Sequence, residues 1–394
     1  MTATCVGHCI AQGGSRLYVA FELGWSEWKL AFTTGAGVPP RLRRMKARNL
    51  EELSLELAKA KKRFGLPADA PVVSCYEAGR DGFWLHRYLQ SQGIANVVVD
   101  SASIEVNRRL RRAKSDRLDA LQLLRQLGRH HAGEKRVWSV VVVPSVTNED
   151  QRQLHREMMG LKEERTEHVN RIKGLLAGCG LALVQVGKKF VEQLGTMRTW
   201  DGQEVPAALR QRLQREYARW QLVEEQIRGL EQERVERIRH SPEPEMKKVR
   251  HLLQVSGVGV NSAWLFVREL FGWRRFQNRR QLGALAGLAP SPYQSGQTNH
   301  EQGISKAGNP RLRAMLVEIA WGWLRWQPGS GLSRWYERRF GNGSSRHRRV
   351  GIVALARKLL VALWRYVETG EAPEGAELVD WEAKLKGRRV ALAE

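Results

Sequence analysis

Long apolar runs are missing from this chain of 394 residues. No stretch approaches the roughly 20 consecutive apolar residues of a membrane-spanning helix. No signal-peptide pattern opens the sequence either, so the expectation is a cytoplasmic protein. Cysteine is equally scarce. Cys5, Cys9, Cys75 and Cys179 are too few and too scattered for a disulfide framework, which suits a reducing compartment. Cys5-x-x-His8-Cys9 has the look of half a metal site, but no second ligand pair follows, and it reads as a loose terminus. The third shortage is of acid. Asp and Glu number 41 against 65 Lys and Arg, a net charge of +24 and a pI near 10.5. That excess calls for a polyanionic partner, and nucleic acid is the first choice.

What acid there is sits in informative places. Lys114-Ser115-Asp116-Arg117-Leu118-Asp119-Ala120 carries two carboxylates three residues apart, hence on one helical face. Before it runs Arg108-Arg109-Leu110-Arg111-Arg112-Ala113-Lys114, and after it an apolar helical pattern through Leu118, Leu121, Leu123 and Leu124. Paired acids can share a hard cation such as Mg²⁺, and Arg111, Arg112 and Lys114 suit a phosphate backbone. A solvated helix whose Asp residues pair with neighbouring Arg is the plainer alternative.

Upstream, Leu17–Leu23 and Trp28–Phe32 read as a β-hairpin about a Gly-containing turn. A helix at about Leu50–Phe64 follows, then a buried-type strand Pro71–Gly79, a helix Gly82–Gln92 and a strand Asn96–Asp100. Strands alternating with helices give an α/β sheet with functional residues at the strands' carboxyl ends. Glu22, Glu77, Asp116 and Asp119 then form a converging set of four acids. A carboxylate on a central strand, as at Glu22, needs a partner or a metal.

Thr147–Arg239 has another texture. Leu154, Met158, Leu161, Arg165, His168, Ile172 and Leu175 follow four- and three-residue steps, as do Leu213, Tyr217, Trp220, Val223, Ile227 and Leu230. Two long amphipathic helices are expected, as an antiparallel hairpin or a coiled-coil dimer seam, with Ser241-Pro242-Glu243-Pro244 as a linker. Leu252–Val260 then reads as helix, Gly257-Val258-Gly259 turn, helix: a helix-hairpin-helix pattern whose backbone amides can hold a phosphate. Gly287–Gly296 is a Pro/Gly/Ser loop, and Gln302-Gly303-Ile304-Ser305-Lys306-Ala307-Gly308-Asn309-Pro310-Arg311-Leu312-Arg313 a Gly-rich turn into a basic helix. No His or Asp stands at a triad spacing from these serines. Ser305 reads as a phosphate or cap contact, and Lys306, Arg311 and Arg313 as nucleic-acid contacts. Trp321, Trp323, Trp326, Trp335 and Trp364, at helical spacing among basic clusters, read mostly as core.

Acid strand, hairpin, acid strand and two-acid helix together resemble the RNase H-like fold of RuvC-type nucleases. Tyr76-Glu77-Ala78-Gly79 and Lys114–Ala120 look like the DEDD transposases of the one-ten insertion-sequence family, best matched by its eleven-eleven branch. The resemblance runs from Leu17 to about Tyr366. It implies that Glu22, Glu77, Asp116 and Asp119 bind Mg²⁺ at the scissile DNA phosphate, although the family's first acid is usually Asp. It also implies that Ser295, in its Ser-Gly loop, is the nucleophile, and that a structured noncoding RNA guides the enzyme.

The expected architecture is α/β plus α. An N-terminal RNase H-like domain at 1–146 leads to a helical coiled-coil spacer at 147–244. A mainly helical C-terminal domain carrying the serine occupies 245–394. The expected function is an insertion-sequence transposase acting on DNA element ends and target, as a dimer or tetramer. Two other readings stand beside it: a structure-selective Mg²⁺ nuclease using water, and a non-catalytic nucleic-acid-binding protein.

Overall fold

A computed structural model describes residues 16–104, 116–135, 137–182, 185–295 and 298–385. By its contacts the chain divides into two compact units, Met1–Val143 and Pro144–Glu394. Among the described residues no helix is long and apolar enough to cross a membrane.

The first unit runs β1 (Leu17–Leu23), β2 (Glu27–Thr33), β3 (Arg41–Lys46), α1 (Leu50–Arg63), β4 (Val72–Glu77), α2 (Trp84–Ser91), β5 (Ala95–Val99) and α3 (Asp116–His131). The sheet order is β3-β2-β1-β4-β5. The first three strands are antiparallel neighbours, while β1, β4 and β5 are parallel. Side chains alternate across the sheet. Leu17, Val19 and Phe21 pack with Leu53, Ala60, Leu85 and Leu89 of α1 and α2. On the opposite face Ala20, Ala31 and Cys75 lie under Ala120, Leu123, Leu124 and Leu127 of α3.

Sequence reading misses β3, because Arg41-Leu42-Arg43-Arg44-Met45-Lys46 shows no apolar alternation. It is an edge strand, where charge is tolerated and guards against further pairing. Its one buried guanidinium, Arg41, donates to Glu56 of α1 at 2.6 Å, and both partners are shielded from water.

The second unit is helical: α4 (Val146–Asp150), α5 (Gln153–Ala177), α6 (Phe190–Thr196), α7 (Ala207–His240), α8 (Pro244–Leu253) and α9 (Val260–Phe266). A π-helical turn, Val267–Phe271, extends α9. Next come α10 (Arg279–Leu285), the strands β6 (Pro290–Ser295) and β7 (Thr298–Ile304), α11 (Pro310–Trp326), α12 (Gly331–Tyr336) and α13 (Ser345–Thr369).

Helices α5 and α7 form an antiparallel pair within the chain. Lys162–Glu231 at 3.4 Å, Arg165–Glu224 at 3.2 Å and His168–Glu216 at 2.6 Å run in opposite chain directions. The polar breaks at Arg165 and His168 in the apolar stripe are therefore an ion pair and a hydrogen bond to the facing helix. Leu154 and Met158 of α5 and Val235 and Ile238 of α7 join the same core as Trp264, Leu270 and Trp323. Ser241–Glu243, within the expected linker, is a short connection between helices that share a core.

His155, on α5, is nearly fully buried. Burial holds its imidazole near pKa 4 rather than 6.5, and the positive charges of Arg234, Arg311, Lys162 and Arg156 push the same way. The unfolded chain takes up this proton near pH 6.5 and the folded chain only near 4. Stability is therefore complete above 6.5 and is lost as pH falls towards 4, by up to about 3 kcal/mol. The expected outcome is that unfolding in urea between pH 7 and 4.5 shows about 2–3 kcal/mol more loss in the native chain than in His155→Phe. Equal losses would mean that His155 is not the group responsible.

Candidate active site and nucleic-acid interface

The direction of α3 decides where the acids of the first unit gather. His131, its last residue, meets the start of β1: Nε2 lies 2.8 Å from Arg16 and Nδ1 3.2 Å from the Tyr18 hydroxyl. Midway, the Cys75 thiol of β4 reaches the Leu123 carbonyl. The helix thus runs opposite to β1 and β4, and its N-terminal turn approaches their carboxyl ends. From Leu123 back to Asp119 is about 6 Å of helix, much as from Ala20 to Glu22 along the strand.

Phe21 pairs with Tyr76 across the parallel strands, so the next residues, Glu22 and Glu77, lie side by side on the face that α3 covers. Position 116 shares the helical stripe of Ala120 and Leu123, and position 119 that of Leu123. Like charges on neighbouring strands are destabilising unless balanced. Lys29, across from Glu22 on β2, supplies one cation.

In the second unit the two glycine-rich motifs cross backbone on backbone. The Ser305 amide donates to the Ala289 carbonyl, the Lys306 amide to Gly287, and the Asn309 amide to Leu285. A Cβ on Gly308, whose φ is +151°, would stand 2.5 Å from the Leu285 carbonyl oxygen and 2.6 Å from the Gly287 nitrogen. At Gly287, with φ of +66°, it would meet the Arg313 guanidinium. Asn309 caps α11 by accepting from the Arg311 and Leu312 amides, and Pro310 fills the first turn. Here the sequence Gly-Asn-Pro is close approach, cap and first turn in succession.

Above this crossing stands the β6–β7 hairpin, with Ser295 opposite Thr298 at its tip. The loop expected over Gly287–Gly296 is therefore mostly strand. Pro290 and Pro292 argue against a strand in the sequence, but a two-stranded ribbon has an open edge where a missing N–H is tolerated.

Comparison with known proteins matches residues 249–336, the stretch holding both motifs, to a family described as Transposase IS116/IS110/IS902. A putative transposase, y4rJ, of Sinorhizobium fredii is 40% identical over 372 residues, 91% of this chain and 94% of the relative. The transposase for insertion sequence element IS1328 of Yersinia enterocolitica is 29% identical, over 54% of this chain and 60% of the relative. That for IS1111A of Coxiella burnetii is 27% identical, over 54% and 55%. The chain belongs to the IS116/IS110/IS902 transposase family.

Several expected contacts of the transposase fall where the structure says little. Arg111, Arg112 and Lys114 lie outside the described residues, as do Cys5, His8 and Cys9. For Asp116 and Ser295 the backbone is described but not the side chain. Hard carboxylate oxygens are the donor chemistry Mg²⁺ takes. Among the described residues, however, no three acidic, histidine or cysteine side chains draw close enough to hold a metal.

A glycine turn joins α8 to α9 where a helix-hairpin-helix was expected, and several of its amides are engaged. Ser256 donates to Glu377 and Val258 to Val255, and the Gly259 amide donates to the Ser262 hydroxyl. Ser305 is exposed beside the crossing, and the cap of α11 is Asn309 rather than Ser305. Lys306 and Arg311 are exposed, while Arg313 is partly committed to the Lys306 carbonyl at 3.0 Å. Of the tail tryptophans, Trp323 is buried and Trp335 and Trp364 pack on the core, whereas Trp321 and Trp326 are exposed.

Sequence reading missed Trp25. It sits in the β1–β2 turn, 68% exposed, with the guanidinium groups of Arg48 and Arg80 at 4.8 and 4.9 Å from its ring. Arg48 has a left-handed backbone, φ 65°, and Lys306 has φ 55°. Among the described residues these are the non-glycine cases, and one stands at each candidate site, where such strain tends to collect.

The crossing makes a sharp prediction. Gly308→Ala places a Cβ among backbone atoms that cannot swing aside, so it should destabilise the transposase by about 2–4 kcal/mol, read as a shift in urea midpoint. A loss below about 1 kcal/mol would show that the crossing relaxes.

Proposed function

We propose that this transposase cuts and rejoins DNA strands with two groups of residues: Glu22, Glu77, Asp116 and Asp119, and the serine Ser295. The observation that carries the reading is the convergence of the acid-bearing ends of β1, β4 and α3. A sheet ordered β3-β2-β1-β4-β5 with only β2 antiparallel to its centre supports an RNase H-like, RuvC-type assignment. Mg²⁺ held by these four acids would supply positive charge to a scissile phosphate and favour ionised oxygen there. Glu22 in place of Asp carries its carboxylate about one bond further from the strand.

Ser295 is the nucleophile in this reading. Its hydroxyl oxygen bonds to phosphorus, the bond from phosphorus to one sugar oxygen breaks, and that oxygen takes up a proton while the serine proton is lost to solvent or a base. The phosphodiester becomes a phosphoserine ester, so the bond energy is kept for rejoining. A hairpin tip presents such a hydroxyl away from packed core. The charge of +24 suits a DNA substrate together with a structured guide RNA, and assembly as a dimer or tetramer belongs to the same proposal.

The test separates charge for binding from charge for chemistry. Asp116→Asn and Asp119→Asn should each abolish cleavage of element-end DNA while leaving its affinity within about threefold, because affinity rests on many cations. Cleavage at the native rate by either variant would overturn the acid assignment.

A further inference from the structure

Between α10, α13 and the foot of the β6–β7 hairpin the second unit opens into a cleft of about 970 Å³. Its floor is apolar: Val350, Val353, Ala354 and Val361 of α13, with Trp335. Its walls are basic, with Arg279 and Arg280 at the start of α10 and Arg357, Lys358 and Arg365 along α13. Among the described residues none of these five cations takes part in an ion pair. The acids present, Glu371 and Glu374, lie at one end, and Glu374 is engaged by Arg334 at 2.8 Å. Lys358 Nζ stands 4.6 Å over the Trp335 ring. A second hollow continues the cleft past Arg279, Val361 and Arg365 to Trp364 and Glu368, the last engaged by Lys248 at 3.2 Å.

We propose that this cleft binds an unpaired DNA strand adjoining the cleavage serine. Five cations with no ion pair among the described residues call for phosphates, but a duplex shows a protein its phosphates and groove edges, and neither would use an apolar floor. A single strand uses both, with backbone on the cations and bases on aromatic and aliphatic surface. From Val350 to Arg365 the α13 stripe runs about 22 Å, within reach of the shortest single-strand sites, about four nucleotides. Pro290 and Ile304, which line the cleft, are paired residues at the base of the hairpin. Ser295, five residues on from Pro290, stands about 17 Å away along β6. The chain segments outside the described residues are themselves basic or neutral and do not match these walls. The inference rests on the Ser295 reading only for which strand is held.

The test measures binding, not cleavage, on the full chain. Fluorescence anisotropy compares a single-stranded DNA oligonucleotide, an RNA of the same sequence and the matching DNA duplex. Lys358→Glu/Arg365→Glu, and separately Val350→Glu, which puts a charge on an exposed part of the floor without touching the core, should weaken single-stranded DNA at least tenfold. The two-cation variant should also reduce its salt slope by about 1.4, at about 0.7 per cation, with duplex affinity changed less than about threefold. Arg212→Glu/Arg228→Glu, an equal reversal on exposed α7 positions, should cost single-stranded DNA less than threefold. Trp335→Phe should keep native affinity. Equal weakening by the α7 control, native single-strand affinity in the cleft variants, or a loss confined to RNA would each overturn the proposal. Intact cleft-dependent binding in a chain that forms no serine adduct would sink the serine reading and leave the cleft standing.

Discussion

The first unit depends on how closely α3 lies against the sheet. Ala20, Ala31 and Cys75 present small side chains beneath Ala120, Leu123 and Leu127, so helix and sheet approach without large residues between them. The His131 contacts with Arg16 and Tyr18 set the direction of the helix. Once both are given, the N-terminal turn of α3 must approach the ends of β1 and β4, whatever Asp116 and Asp119 are for. Acid placed there calls for cations nearby, and Lys29, opposite Glu22 on β2, is one of them.

A different constraint governs the second unit. The loops around Gly287 and Gly308 touch through backbone atoms, which fixes the base of the hairpin carrying Ser295 and the start of α11 together. The buried junction of α5 and α7 with the C-terminal core, where His155 is held neutral, ties the long helical pair to the same body. The basic cleft then lies along α13, on the side of the hairpin's foot. Pro290 and Ile304, paired at the base of the hairpin, also line that cleft.

Much of this was legible in the sequence. The strands β1, β2, β4 and β5 announced themselves through apolar runs, and α5 and α7 through their stripes, down to the polar positions that face partners on the other helix. Edge strand β3 was invisible because its residues are charged for the solvent, not patterned for a core. The β6–β7 hairpin was hidden by its prolines, and α6 by its shortness. Among the candidate residues, the positions of Glu22, Glu77 and Asp119 on strand ends and a helix face could be read from periodicity. The engagement of the Gly259 amide by Ser262 could not, since it depends on a rotamer. Nor could Trp25 between two guanidinium groups, which are brought together from distant positions by the turn at Arg48 and the loop at Arg80. The cleft along α13 is a property of packing alone.

The central claim is that the transposase joins itself to DNA through Ser295. Its most direct test is to stall the enzyme on a nicked suicide substrate, denature it in detergent and map the modified peptide. The account predicts a DNA strand covalently attached to Ser295, absent in Ser295→Ala although that variant still binds DNA. Attachment to Tyr293 or Ser305 would contradict the site, and strand cleavage by Ser295→Ala with no adduct anywhere would contradict the mechanism, leaving water as the nucleophile.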